Sequence, residues 1–251
     1  MKNIYTLITL LSVTFIHGQT TQIIAHRGNW TQPATSENSL ESLRNALELN
    51  IYGSEFDVQL TADDVLVIHH DAKINGKRIS KYTYGQLKNE TLPNGEKLPL
   101  LDDFIRLGKQ YPQHKLIIEL KPQQSDAKET VMVQKALAIV HAHDMMPQSE
   151  FISFSLHICK EIKRLSATSQ VQYLNGDLSP EQVKHIGLDG IDYHYSLYRK
   201  NKNWIPQAKK LGLVTNAWTV NNEKDLKWLQ KMGLDFVTTN FPKSFKEANL
   251  Q

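Results

Sequence analysis

The stretch "IIAHRGNW" runs an apolar segment straight into a His, an Arg and a Gly, so His26 and Arg27 stand at the end of a short strand pattern. Further on, "EFDVQL" sets Glu55 and Asp57 two residues apart, "HHD" supplies His69, His70 and Asp71, and "IIELKP" sets Glu119 two residues before Lys121. Residues two apart on a strand share a face. Glu55 and Asp57 therefore point together, while Phe56 and Val58 take the opposite phase, which packs against helices in a covered parallel sheet. Three carboxylates gathered in one poorly solvated place repel one another unless a cation joins them. The all-oxygen set of Glu55, Asp57 and Glu119 suits Mg²⁺ or Ca²⁺ better than zinc, and a salt-bridge network through Lys121 and Arg27 is the competing solution. His26 and His70 at neighbouring strand ends suit a general acid and base pair, since imidazole titrates near neutral pH. Together with Arg27 and Lys121, these are the parts needed to hold a phosphate and displace one ester oxygen in line. The reaction class that fits is phosphodiester cleavage.

Such residues act only if the chain brings them to one place. Short β-branched runs alternate with amphipathic stretches, the pattern of βα units around a parallel sheet. The runs predict strands at Gln22–Ala25, Gly53–Leu60, Lys115–Leu120, Phe151–Phe154, Val171–Leu174, Gly190–Tyr193, Val214–Trp218 and Phe236–Thr239. Helices fit between them: "SPEQVKHI" opens on an N-cap Ser179 with Pro180 first and Gln182 placed for a capping box, and "NNEKDLKWLQKMG" opens on an Asn and stops at Gly233. Eight such units predict an α/β fold, a (β/α)₈ TIM barrel, whose strand ends converge on the C-terminal mouth. A short insertion, about residues 71–107, interrupts the rhythm after the second strand, following a short strand at Val65–Ile68. An insertion on such a connection is expected to act as a lid or substrate wall. His69 is expected to pack or support, His141, His143, His157 and His185 lie in helical stretches as surface or packing residues, and His194 follows the sixth strand, where facing the mouth is the lesser of its two readings.

A chain of 251 residues can bury one sizeable core. Its formal charge of +3 comes without a long basic block, which excludes a backbone-tracking nucleic-acid binder. The start, "MKNIYTLITLLSVTFIHGQT", places one Lys before an apolar run from Ile4 to Ile16, too short to span a bilayer comfortably. It reads as a signal peptide, residues 1–18, followed by one domain over 20–251, and implies export to the periplasm or beyond. The mature chain is expected to have no stable membrane span. Cys159 is the single cysteine, so the chain holds no internal disulfide and no Cys-based metal site.

"AHRG", "SEN", "EFDVQLTADDVLVIHHD", "IELKP", "AWTVN" and "TTNFP" resemble, in order and spacing, the motifs of the glycerophosphodiester phosphodiesterase family, across nearly all of the mature chain. The resemblance implies a metal-dependent barrel that hydrolyses glycerophosphodiesters to glycerol 3-phosphate and an alcohol. On the matching positions it implies His26 and His70 as catalytic acid and base, Glu55, Asp57 and Glu119 as ligands of one divalent cation, and Arg27 with Lys121 on the phosphate. Glu37 would support the site as an outer ligand or orienter, and Trp218 would line the substrate mouth. The family usually carries Asp where this chain has Asn240. Two other readings compete: a lipid-directed enzyme resembling sphingomyelinase D or phospholipase C, which needs an exposed apolar rim, and a barrel that binds phosphoglycerol without cleaving it.

Overall fold

The computed structural model describes residues 21–249; the expected signal segment, residues 1–18, lies outside them. Eight strands, β1 (Gln22–Ala25), β2 (Gly53–Leu60), β3 (Lys115–Leu120), β4 (Ser149–Ser153), β5 (Gln170–Tyr173), β6 (Gly190–His194), β7 (Val214–Trp218) and β8 (Phe236–Thr239), pair in parallel in chain order. The barrel closes because β1 pairs on both sides, Gln22–Ala25 with Phe236–Thr239 of β8 and Ile24 and Ala25 with Gly53 and Ser54 of β2. This is the TIM barrel that the alternating pattern predicts.

Alternation along each strand divides the core in two. Ile24, Ile117, Ile152, Leu174 and Phe236 fill the barrel interior. Phe56, Val58, Ile118, Phe151, Ile191 and Val237 face outward into the larger layer under the helices. Phe56 meets Phe104 of the Leu101–Gly108 helix with ring centroids 4.8 Å apart. The opposite phase of β2 thus carries Glu55 and Asp57 inward, as the spacing predicts.

The helix caps follow the local sequence. Ser179 Oγ accepts from Gln182 N with a reciprocal bond closing the capping box, and Gly187 ends that helix in the left-handed region at φ 87°. Asn222 accepts from Asp225 N at the start of the Glu223–Lys231 helix. Three strand spans differ from expectation: β5 runs one residue earlier, Gln170–Tyr173, β6 extends to His194, and β4 starts at Ser149, because Ser149 and Glu150 take up ladder positions opposite Leu116 and Ile117 despite their polarity. Phe154 is thereby pushed past the strand end, where its ring stands edge-on to Trp218.

The insertion is the other correction. It forms a two-stranded ribbon, Lys73–Ile74 with Lys77–Arg78, a short helix Tyr84–Leu87 and turns. These close over a small core of their own, Val67, Ile74, Ile79, Leu87, Leu92 and Leu98, beside the Leu66–Ile68 strand that pairs antiparallel with the end of β2. None of residues 71–107 lines the central cavity, so the segment forms no wall of it in this structure. It braces a neighbour instead: Asn94 Oδ1 accepts from Ser36 Oγ at 3.1 Å, and the Glu96 carboxylate accepts from Leu40 N at 2.9 Å at the start of the Leu40–Leu47 helix. The insertion therefore holds the loop that carries Glu37 and Asn38.

Candidate active site

A cavity at the C-terminal mouth is lined by His26, Arg27, Glu55, His70, Glu119 and Lys121 on one side and by Phe154, Asp192, Trp218 and Thr238 on the other. His26 and Arg27 sit at the end of β1, where the chain must turn at once toward the Leu40–Leu47 helix. Arg27 and Gly28 both take positive φ, 57° and 86°, and this turn lets Arg27 fold back over β2. Its backbone N–H donates to Glu55 Oε2 at 2.8 Å, and its guanidinium reaches Glu37 at 2.9 Å and Asp57 at 3.4 Å. Glu37 is thus an orienter of Arg27, half-exposed and outside the cavity lining.

Lys121 lies just past β3, and its ammonium bridges Asp57 at 2.6 Å and Glu119 at 2.7 Å. Asn38, the last residue of the "SEN" motif, clamps Asp57 from the other side. Its amide donates to Asp57 Oδ2 at 2.8 Å, and its carbonyl oxygen accepts from Asp57 N at 3.1 Å. The sequence signal for Asn38 lay in that quoted motif, but side-chain spacing alone says nothing of a residue whose partner is 19 positions away.

The salt-bridge network and the carboxylate cluster therefore coexist, and charge decides what the cluster still lacks. Glu55, Asp57 and Glu119 are 2%, 1% and 7% exposed, and each places one oxygen within 4.8 Å of the others. Burial opposes the charge on Asp57, yet Lys121 and Arg27 outweigh it and hold that carboxyl ionised, well below the usual range. Glu119 is pushed up to about 7 by burial and by Asp57. Glu55 is raised well above the ordinary value by burial and by its two acidic neighbours, and its Oε1 is buried without a hydrogen-bond partner. Two basic side chains leave this oxygen unanswered. An oxygen-seeking divalent cation fits it, since Mg²⁺ and Ca²⁺ take carboxylate oxygens at about 2.0–2.6 Å. A second grouping, Asp126, Glu129 and His157, offers no such opening: the Glu129 oxygens accept from Gln123 N and Ser155 Oγ.

The two histidines are held differently. His26 Nδ1 lies 2.6 Å from Asn240 Oδ1, and an amide oxygen accepts only from a protonated ring nitrogen, which leaves Nε2 bare. Burial, then the charge of Arg27, lowers the His26 pKa to about 4, so the ring is neutral at pH 7. His70 Nδ1 pairs instead with the Asp71 carboxylate at 2.8 Å. The structure thus gives Asn240 a defined place against the ring of His26.

The remaining histidines stay off the cavity lining. His69 Nδ1 bonds to Asp71 O at 2.9 Å, and His143 pairs with Asp102 at 2.7 Å. His157 Nε2 meets Thr130 Oγ1 at 3.1 Å, while His141 and His185 are exposed. His194 caps the Tyr195–Lys200 helix and reaches the mouth only through its edge-on contact with Trp218, centroids 5.2 Å apart. Spacing along the sequence passed over Asp192, which lines the cavity from β6 and is 1% exposed.

Comparison with known proteins agrees with this geometry. Residues 26–244 match the glycerophosphoryl diester phosphodiesterase family. The crystal structure of a glycerophosphodiester phosphodiesterase from Parabacteroides distasonis is 40% identical, with a TM-score of 0.91 over 92% of this chain and 98% of that one. An Oleispira antarctica phosphodiesterase, solved in complex with the product sn-glycerol-3-phosphate, is 26% identical with a TM-score of 0.80 over 92% and 98% of the two chains. A glycerophosphodiester phosphodiesterase of Bacillus altitudinis is 27% identical over 240 residues, 88% of this chain and 95% of that one. With its motifs, its closed barrel and its mouth all of one kind, the chain belongs to the glycerophosphoryl diester phosphodiesterase family of enzymes.

Proposed function

We propose that the protein hydrolyses glycerophosphodiesters to sn-glycerol 3-phosphate and a free alcohol, by two-histidine acid and base catalysis assisted by one divalent cation. The observation that carries this is the convergence of His26, His70, Arg27, Lys121, Glu55 and Glu119 on a single cavity. Glu55, Asp57 and Glu119 would hold Mg²⁺ or Ca²⁺, which supplies Lewis-acid polarisation of a phosphate oxygen. Arg27 and Lys121 neutralise charge that grows on the phosphoryl oxygens as the bond to the leaving group breaks. His26, neutral with Nε2 bare, takes the proton of the attacking hydroxyl, either of water directly or of the substrate's own 2-hydroxyl, in which case a cyclic phosphate forms and water then opens it to sn-glycerol 3-phosphate. His70, its Nδ1 paired with the Asp71 carboxylate, gives a proton to the departing alkoxide.

The lipid-directed reading calls for an apolar rim. The large apolar side chains that stand exposed among the described residues are Leu165 and Phe241, too few and too scattered to make one. The apolar run from Ile4 to Ile16 supports export of the mature enzyme, and N-terminal sequencing of the processed protein checks for a start just after Gly18.

Release of glycerol 3-phosphate from glycerophosphocholine is expected, lost in EDTA and restored by Mg²⁺ or Ca²⁺. H26A and H70A are each expected to lower kcat by about a hundred- to ten-thousand-fold, the range for a positioned acid or base. Folded H26A and H70A proteins with wild-type turnover would overturn the mechanism, and ligand binding without any turnover by the wild type would favour the phosphoglycerol-binding barrel.

A further inference from the structure

Asp192 is a fully buried carboxyl with no part in the chemistry above. Its neighbours on β6, Ile191 and Tyr193, belong to the outer layer under the helices, so alternation turns Asp192 into the barrel, where it lines the cavity. Its Oδ1 has no hydrogen-bond partner. Asn216, its Cα partner on β7, hydrogen-bonds the Asp192 carboxyl and is otherwise engaged, donating to Thr238 Oγ1 at 3.0 Å and accepting from Ala217 N at 2.8 Å, so Oδ1 stays open. Native proteins seldom leave a buried polar oxygen open, and burying a carboxyl this way is costly. An open acceptor that faces a substrate cavity has an explanation if the substrate completes it.

The position of Asp192 selects which part of a substrate would do so. In the ring of strands β6 lies across the barrel from β2, so Asp192 faces the wall that carries Glu55 and the phosphate-gripping cations. Over Asp192 sits Trp218, whose indole N–H donates to the Asp192 carbonyl at 2.9 Å, with Phe154 edge-on to it at 5.4 Å between centroids. These two rings make an apolar wall suited to the bulkier alcohol. The deep position beneath them suits a small group with a hydrogen to give.

Resting on the glycerophosphodiester reading, the geometry points to Asp192 as the residue that reads the glycerol end of the substrate, its open carboxyl oxygen bonding to a glycerol hydroxyl. The choline of glycerophosphocholine has no N–H or O–H once esterified, so with that substrate the donor can come only from glycerol. Asp192 thereby sets a preference for polyol phosphodiesters over diesters of the same charge that lack hydroxyls.

The test compares kcat/KM for glycerophosphocholine with kcat/KM for bis(p-nitrophenyl) phosphate, which carries no hydroxyl, in wild type, D192A and D192N. Inhibition by glycerol 3-phosphate and by inorganic phosphate is measured alongside. The ratio of the two kcat/KM values is expected to fall about tenfold or more in D192A, as for loss of one substrate hydrogen bond, and less in D192N, which keeps an acceptor oxygen. Glycerol 3-phosphate should inhibit D192A correspondingly more weakly, with inorganic phosphate little changed. An unchanged ratio and unchanged inhibition, or equal loss on both substrates, would overturn the role of Asp192 while leaving the enzyme reading intact. A wild type that cleaves bis(p-nitrophenyl) phosphate but no glycerophosphodiester would overturn both.

Discussion

At the scale of single residues, the site depends on fixing which atoms carry protons. His26 is lowered to about 4 by burial, with Arg27 adding to the effect and the Asn240 hydrogen bond opposing it. Asn240 thus orients the ring without lending it a negative charge, which an aspartate at that place would do. In N240D the carboxylate favours the imidazolium, so the His26 pKa rises; as pH falls, a base that must be neutral is then protonated and lost sooner. The acidic limb of kcat/KM is expected to move up by about one unit or more in N240D. A pH profile superimposable on the wild type would show that His26 is not the base. Cys159, by contrast, is fully buried among apolar residues, and its thiol is pushed up to about 12, which fits the packing role its apolar neighbours suggest.

At the scale of elements, the decisive piece is the turn from β1 into the Leu40–Leu47 helix. Ser42 Oγ donates to Arg27 O at 3.1 Å, and Asn29 N donates to Ser42 O at 2.8 Å, so the helix start is pressed against the turn. A Cβ on Gly28 would fall 2.4 Å from Ser42 Oγ and 2.6 Å from the Ser42 carbonyl carbon, at a φ of +86°. An L-residue pays about 1–2 kcal/mol for the left-handed region alone. G28A is therefore expected to lose about 2 kcal/mol or more in urea denaturation and at least tenfold in kcat/KM, because relief of the clash moves Arg27 away from Glu55 and Asp57. Wild-type stability together with wild-type activity in G28A would refute the tight turn. The insertion acts on the same element from outside, through Asn94 and Glu96.

At the scale of the whole molecule, the cluster joins β2 to β3 and, through Arg27, to β1, so a cation there would tie three adjacent strands of a closed sheet. A ligand that binds only the native state at a hundredfold excess over its Kd adds about 2.7 kcal/mol, or about 5–10 °C in Tm for a domain of this size. Saturating Mg²⁺ or Ca²⁺ is expected to raise Tm by that order in wild type and markedly less in E55Q, which keeps its shape but loses the open carboxylate oxygen. An equal rise in both proteins would place the cation elsewhere. This readout is independent of turnover.

The barrel was legible in the chain because the strands alternate and helices such as Pro180–Ile186 and Glu223–Lys231 carry their own caps, signals that act over a few residues. The inward phase of Glu55 and Asp57 and the strand-end position of His26 follow from the same short-range alternation. The residue types at the strand ends pointed to a phosphate site, and motif order set His70, Arg27, Lys121 and Glu119 within the family pattern. Beyond reach were the side-chain contacts between βα units: Asn38 against Asp57 and Asn240 against His26 on neighbouring units, and the open oxygen of Asp192 facing β2 across the ring. Nor could the local pattern show that the insertion would close on a core of its own rather than over the mouth. Those outcomes depend on closure, which brings strands far apart in sequence to opposite walls of one cavity and there decides which buried polar atoms find partners and which wait for a ligand.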